Sequence, residues 1–165
     1  MKAVVVYESL WGNTAAIARA IAEGIGEGTP ALATSEATGE AMSGVDLIVA
    51  GAPLMGFSLP TKSSRDNLRR SPGKGQPPPD LSHPALREWR AAMPSGSGRS
   101  AAFETRFKWS PGSATGTIER ELTKAGYPPG ASRERFIVKG TYGPLREGEL
   151  ERAREWGAQL ARLSR

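Results

Sequence analysis

Runs of apolar residues with no polar alternation recur along the chain, and most are followed by stretches whose apolar positions fall three or four apart. "KAVVVY" (2–7) is β-branched and unbroken, the pattern of a parallel strand covered on both faces. Past a short polar turn, Ile17, Ala20, Ile21 and Ile25 mark one helix face, which ends in the glycine-rich "GIGEGTP". A weak strand, "ALATS" (31–35), precedes two buried ones, "VDLIVAGAP" (45–53) and "RSAAFE" (99–104). Ile118, Leu122 and Ala125 then line a helix, and "ERFIVKG" (134–140) supplies the last strand. Leu150, Ala153, Trp156, Gly157, Leu160 and Leu163 line a closing helix. This alternation predicts an α/β fold with a doubly wound parallel sheet and right-handed crossovers. Such sheets take ligands at the C-terminal ends of their strands, near the point where the winding reverses.

Between Thr61 and Gly98 the rhythm lapses. "SPGKGQPPP" (71–79) has six Pro or Gly in nine positions, which argues against regular structure there. "SHPALREWRAAM" follows as one amphipathic helix, with Asp80 or Ser82 placed to cap it and Pro84 in its first turn. Residues 62–81 are expected to be a mobile, basic, Pro/Gly-rich insertion within a single domain spanning 1–165. Trp89 and Trp156 sit on helical patterns and are expected in the core.

At 165 residues and 38% hydrophobic content, the chain can bury one ordinary core. No apolar run is long enough to span a bilayer, and the N-terminus lacks a signal-peptide pattern, so the expectation is a soluble, cytoplasmic protein without membrane insertion. The absence of Cys removes disulfides, thiolate nucleophiles and cysteine-ligated metal. His83 is the only histidine, so a multi-histidine metal site is excluded, and its setting before Pro84 reads as a surface helix start. The net charge is +5, concentrated in "KSSRDNLRRSPGK" (62–74), where Lys62, Arg65, Arg69, Arg70 and Lys74 face only Asp66. No aromatic interleaves these charges to stack on bases, so a solvated loop is expected and nucleic acid is not.

The turn after the first strand carries the candidate chemistry. Neither the Walker A string nor the dinucleotide fingerprint follows any strand, which disfavours nucleoside triphosphates and standard NAD binding. The turn instead offers Ser9, Gly12, Asn13 and Thr14, with no Lys or Arg between residues 3 and 18. Neutral donors at a helix N-terminus hold a phosphate dianion when the loop wraps it closely; the plain alternative is a loop that only caps the helix through Asn13 or Thr14.

"YESLWGNT" resembles the phosphate loop of the flavodoxin-like FMN-binding family, and is closer still to the loop in the flavodoxin domains of flavodiiron proteins. "GAPLMGFSLP" (51–60) and "FETRFKWSPGSATGTIERELTKAGY" (103–127) resemble the two loops that flank the flavin ring, and "GTYGPLREGELERAREWGAQLA" resembles the closing segment of actinobacterial members. The resemblance implies a five-stranded sheet in the order 2-1-3-4-5 with helices on both faces, FMN as cofactor, and a redox partner protein or small-molecule electron donor or acceptor. It assigns Ser9, Leu10, Trp11, Gly12, Asn13 and Thr14 to the phosphate. Pro53, Leu54, Met55, Gly56 and Phe57 fall to the first ring-flanking loop, with Gly56 the position for a peptide flip. Thr105, Arg106, Phe107, Trp109 and Gly112 fall to the second, with Trp109 expected as a ring contact. Arg106 and Lys108 face either the ring's polar edge, a substrate anion or solvent. Three functions stay open: an electron carrier, an NAD(P)H- or quinone-dependent FMN reductase, and a cofactor-free interaction module on the same fold. The basic charge disfavours the usual carrier, whose relatives are acidic.

Overall fold

The computed structural model describes residues 1–70 and 75–164. Five strands form one all-parallel sheet: β1 (Ala3–Tyr7), β2 (Ala31–Ala33), β3 (Leu47–Pro53), β4 (Arg99–Arg106) and β5 (Glu134–Ile137), in the order β2-β1-β3-β4-β5. The chain therefore winds outward one way to β2, returns to β1, and winds the other way to β5, placing the switch between β1 and β3. Val5 lies beside Val49, and Gly51 beside Phe103, so the C-terminal ends of β1, β3 and β4 sit together at one edge.

Helices cover both faces, as the unbroken apolar strands require. On one face α1 (Asn13–Ile25) and α5 (Glu149–Leu163) press Ile17, Ile21, Trp156 and Leu160 onto Val5, Val49 and Phe103. On the other, α3 (Leu86–Ala92) and α4 (Thr115–Lys124) bring Leu86, Trp89, Ile118 and Leu122 against Val4, Ile48 and Ala102. Trp89 and Trp156 are buried, and the Trp89 indole N–H donates to the Ala37 carbonyl at 2.7 Å. Among the described residues, no helix is long and apolar enough to cross a membrane.

The structure corrects two expectations. Residues Lys62–Arg70 form a helix, α2, instead of a solvated loop. Its anchor is Arg65, which is buried and donates to the Glu8 carboxylate at 2.8 Å and to the His83 carbonyl at 2.6 Å. Hydrophobic patterning missed it because a cation, not an apolar residue, fixes it. Positions 71–74 of the Pro/Gly-rich stretch lie outside the described residues. His83, read as a surface helix start, is instead 4% exposed and precedes α3, because its imidazole is drawn inward to a backbone donor.

Candidate functional site

The loop between β1 and α1 is held from two sides. Gly12 adopts φ +94°, a left-handed conformation costly for any residue with a Cβ, and this turns the chain into α1. The Ser9 hydroxyl accepts the N–H groups of Gly12 and Ala15 at 3.1 and 3.2 Å, leaving those of Asn13 and Thr14 without an acceptor among the described residues. Two unspent donors thus stand at the positive end of a 13-residue helix. The Thr14 hydroxyl is 2.8 Å from that of Thr105 at the end of β4.

Beneath the loop lies a buried polar network. Glu8 is fully buried; one of its oxygens takes the Arg65 guanidinium and the other caps α3 by accepting the Leu86 N–H at 2.9 Å. Burial pushes its carboxyl above the usual range, against the pull of Leu86 and Arg65. His83 Nε2 accepts the Ser9 N–H at 3.1 Å, which requires that nitrogen to be unprotonated. Burial holds the imidazole below its ordinary pKa, with Asp80 pulling the other way. Asp80 N–H also donates to the Leu10 carbonyl at 2.7 Å, and the Trp11 indole N–H to the Pro77 carbonyl at 3.1 Å. Sequence reasoning missed Glu8 and assigned His83 elsewhere.

Above the loop, a cavity of about 180 Å³ opens at the sheet edge. Leu10, Trp11, Asn13 and Thr14 form its floor, Pro53, Leu54 and Met55 one wall, and Thr105, Arg106 and Phe107 another. Four residues not singled out in the sequence complete it: Leu68 of α2, and Val138, Thr141 and Tyr142 after β5. Tyr142 packs edge-on to Trp11, centroids 5.1 Å apart. The position of Tyr142 just past a strand's C-terminal end was the available signal. Ser9, Gly12, Gly56, Phe57, Trp109 and Gly112 do not line this cavity.

The two expected flanking loops are tied together. Met55 and Ser58 exchange backbone hydrogen bonds around Gly56 at φ +64°, a tight two-residue turn that glycine permits. Ser113 N–H donates to the Phe57 carbonyl at 3.0 Å, and Leu54 N–H to Thr105. Arg106 is buried and spent, on Glu104 at 3.0 Å and the Gly112 carbonyl at 2.9 Å. Glu104 in turn caps α4 through Ala114 and Thr115. Phe57 and Trp109 point outward, 73% and 85% exposed.

No family model and no curated protein matches the sequence. Solved structures do. A flavodoxin from the domain Archaea aligns over 99% of both chains at 20% identity and a TM-score of 0.64. Flavodoxin 1 from Bacillus cereus aligns over 98% of both at 17% identity and 0.63. A flavodiiron core from Synechocystis sp. PCC6803 aligns over 98% of this chain and 35% of its own length, at 22% identity and 0.62. With the strand order above, these likenesses show a flavodoxin-like fold.

Proposed function

We propose that this chain, acting as a single cytoplasmic domain, binds one FMN at the C-terminal edge of the sheet and serves in electron transfer. The observation that carries this reading is the pair of unspent N–H groups at the α1 N-terminus, which belong to Asn13 and Thr14, two residues that line a largely apolar cavity. Neutral donors and a helix end suit a phosphate monoester, and the names of the solved neighbours agree with a flavin.

The residues present fit FMN's two ends unequally. The phosphate end is furnished with donors, including the Thr14 hydroxyl that now meets Thr105. The cavity as a whole, at about 180 Å³, lies under the roughly 300 Å³ at which ligand pockets begin, so ring binding requires its walls to open. Bound FMN supplies the redox chemistry. The protein's part is to neutralise the phosphate with N–H donors, to exclude water with Leu54, Met55 and Phe107, and to offer a peptide at Gly56 that turns over cheaply.

The test is titration of cofactor-stripped protein with FMN, FAD and riboflavin. FMN should bind, FAD should not, and riboflavin should bind at least about a hundredfold more weakly, the scale of losing two charge-assisted hydrogen bonds. Riboflavin binding equal to FMN removes the phosphate cradle, and no flavin binding leaves an interaction module. Rapid bleaching of bound FMN by NADH or NADPH without an added reductase would favour the reductase over the carrier.

A further inference from the structure

The single histidine of the chain is buried against the turn that leads from β1 into α1. His83 Nε2 accepts the Ser9 N–H at 3.1 Å, while the Ser9 hydroxyl accepts the N–H groups of Gly12 and Ala15 at 3.1 and 3.2 Å. Ser9 is therefore held at its backbone by His83, and its side chain orders the rest of the turn. It takes up two of the donors at the helix start and leaves those of Asn13 and Thr14 for an anion.

A neutral imidazole satisfies this arrangement, with Nε2 accepting. A protonated one satisfies it in neither ring orientation, because both of its nitrogens are then donors. Donor would face donor at Ser9, so either the ring or the Ser9 backbone must move, and the Ser9 hydroxyl with it. Charged groups reach the ring from two elements. Arg65 of α2 donates to the His83 carbonyl at 2.6 Å, and Asp80, in the segment before α3, places a carboxylate oxygen 3.8 Å from Nδ1. Glu8 of β1 acts at one remove, through Arg65, and Glu88 of α3 acts on Glu8; residues 9–14 of the turn carry no charge. Asp80 favours the protonated ring, whereas burial and Arg65 oppose it.

We propose that His83 is a positioning residue for this turn, and that proton uptake by its imidazole loosens a phosphate monoester held by the N–H groups of Asn13 and Thr14. The inference rests on the flavin reading above, in which that monoester is the phosphate of FMN. His83 does not line the cavity and acts only through Ser9. The coupling is reciprocal, so a bound phosphate makes the imidazole harder to protonate.

The experiment compares the parent with His83→Gln, whose side-chain oxygen accepts from Ser9 at every pH, and reads two quantities between about pH 5 and 7.5. The first needs no ligand. Amide NMR shifts of Ser9, Gly12, Asn13 and Thr14 in the cofactor-stripped chain should follow the titration of the His83 ring in the parent and show no such step in His83→Gln. The second is the FMN dissociation constant, measured beside that of riboflavin. FMN changes its own phosphate charge at about pH 6 with either protein, so the ratio of parent to variant dissociation constants carries the result. That ratio should lie within about twofold of unity at pH 7.5 and grow toward about tenfold as the ring takes up its proton, the scale of one hydrogen bond. For riboflavin, which lacks the phosphate, it should stay within about twofold throughout. Any of four results overturns the proposal: turn amides that ignore the ring's titration, a ring that stays neutral across the whole interval, an FMN ratio that does not grow, or a riboflavin ratio that grows as much. If the parent binds no FMN at any pH, the proposed function fails, while the turn amides still decide whether His83 governs the turn.

Discussion

Beneath α1 and α5, Phe103, Phe136 and Trp156 meet edge to face with centroids 6.2, 6.4 and 6.1 Å apart, whereas at the C-terminal edge Glu8, Arg65 and His83 are buried as deeply and meet through hydrogen bonds. The first region is held by contact area, which is lost in proportion to the atoms removed. The second is held by matching, since each group there is inexpensive to bury only while its partner stands opposite. No buried side-chain polar atom among the described residues lacks a partner. An apolar face therefore degrades by degrees, while the edge that carries the candidate site fails as a unit.

Two truncations of similar cost separate the regions. Trp156→Ala should lose about 3–5 kcal/mol of unfolding free energy, the range for a large core aromatic, with FMN affinity per folded molecule unchanged. Arg65→Ala should lose a similar amount, about 3–5 kcal/mol, because it strands a buried carboxylate. It should also weaken the proposed FMN binding, since Arg65 holds His83, which meets the β1–α1 loop at Ser9, and α2, which brings Leu68 to the cavity. Glu8→Leu combined with Arg65→Met should recover most of the stability, as apolar replacements of buried ion pairs commonly do. Urea unfolding beside FMN titration measures all four proteins; equal effects of Trp156→Ala and Arg65→Ala on affinity would erase the distinction.

That contrast also explains what the sequence made legible. The strands were readable because residues such as Val4, Val5 and Val6 are apolar toward both faces, and α1 and α5 because their buried residues repeat at helical spacing. The β2 strand, only three residues long and half-buried, was correspondingly faint. Helix α2 was invisible because "KSSRDNLRR" has one buried anchor, Arg65, whose partner Glu8 lies 57 positions away. His83 was misjudged for the same reason, as Ser9 is 74 positions distant. The turn from β1 into α1 was legible because its signal is local: a glycine in a left-handed turn and a helix that starts at once. Leu68 comes to the cavity through tertiary packing alone, whereas Tyr142 had only its position after β5 to mark it.

Within the site, Thr14→Val should cost roughly 1–3 kcal/mol of FMN affinity if the hydroxyl leaves Thr105 for the phosphate. Thr105→Val should cost less, because the Thr105 hydroxyl's partner in the structure is Thr14 itself. Comparing the two dissociation constants decides whether the pair serves the ligand or only joins β4 to α1. Equal, small losses would make it a structural link.

The smallest effect tests the edge by pH. The folded pKa of His83 is lowered from 6.5 by burial, so between that lower value and 6.5 the unfolded chain holds a proton that the folded chain refuses. Stability is therefore fully present above about 6.5 and is lost as pH falls toward the folded pKa, where Nε2 gains a proton and ceases to accept from Ser9. Glu8 has the opposite sign: its folded pKa is raised above 4.5, so its contribution is complete below 4.5 and declines as pH rises through the raised value. The two are separated by His83→Gln, which places an amide oxygen near the position of Nε2 and accepts from Ser9 at every pH. Melting temperature followed between about pH 5 and 7.5 should slope upward in the parent more steeply than in His83→Gln, with the two curves parallel above about 6.5, where the parent imidazole is neutral in both states. Asp80 and Arg65 are the other charged groups acting on the imidazole, and the Asp80 carboxyl, held below its ordinary range by the Ser82 hydroxyl, keeps its charge over this interval. Parallel curves across the whole range would mean that His83 contributes packing and nothing else, and the edge would then differ from the α1–α5 face only in Glu8 and Arg65.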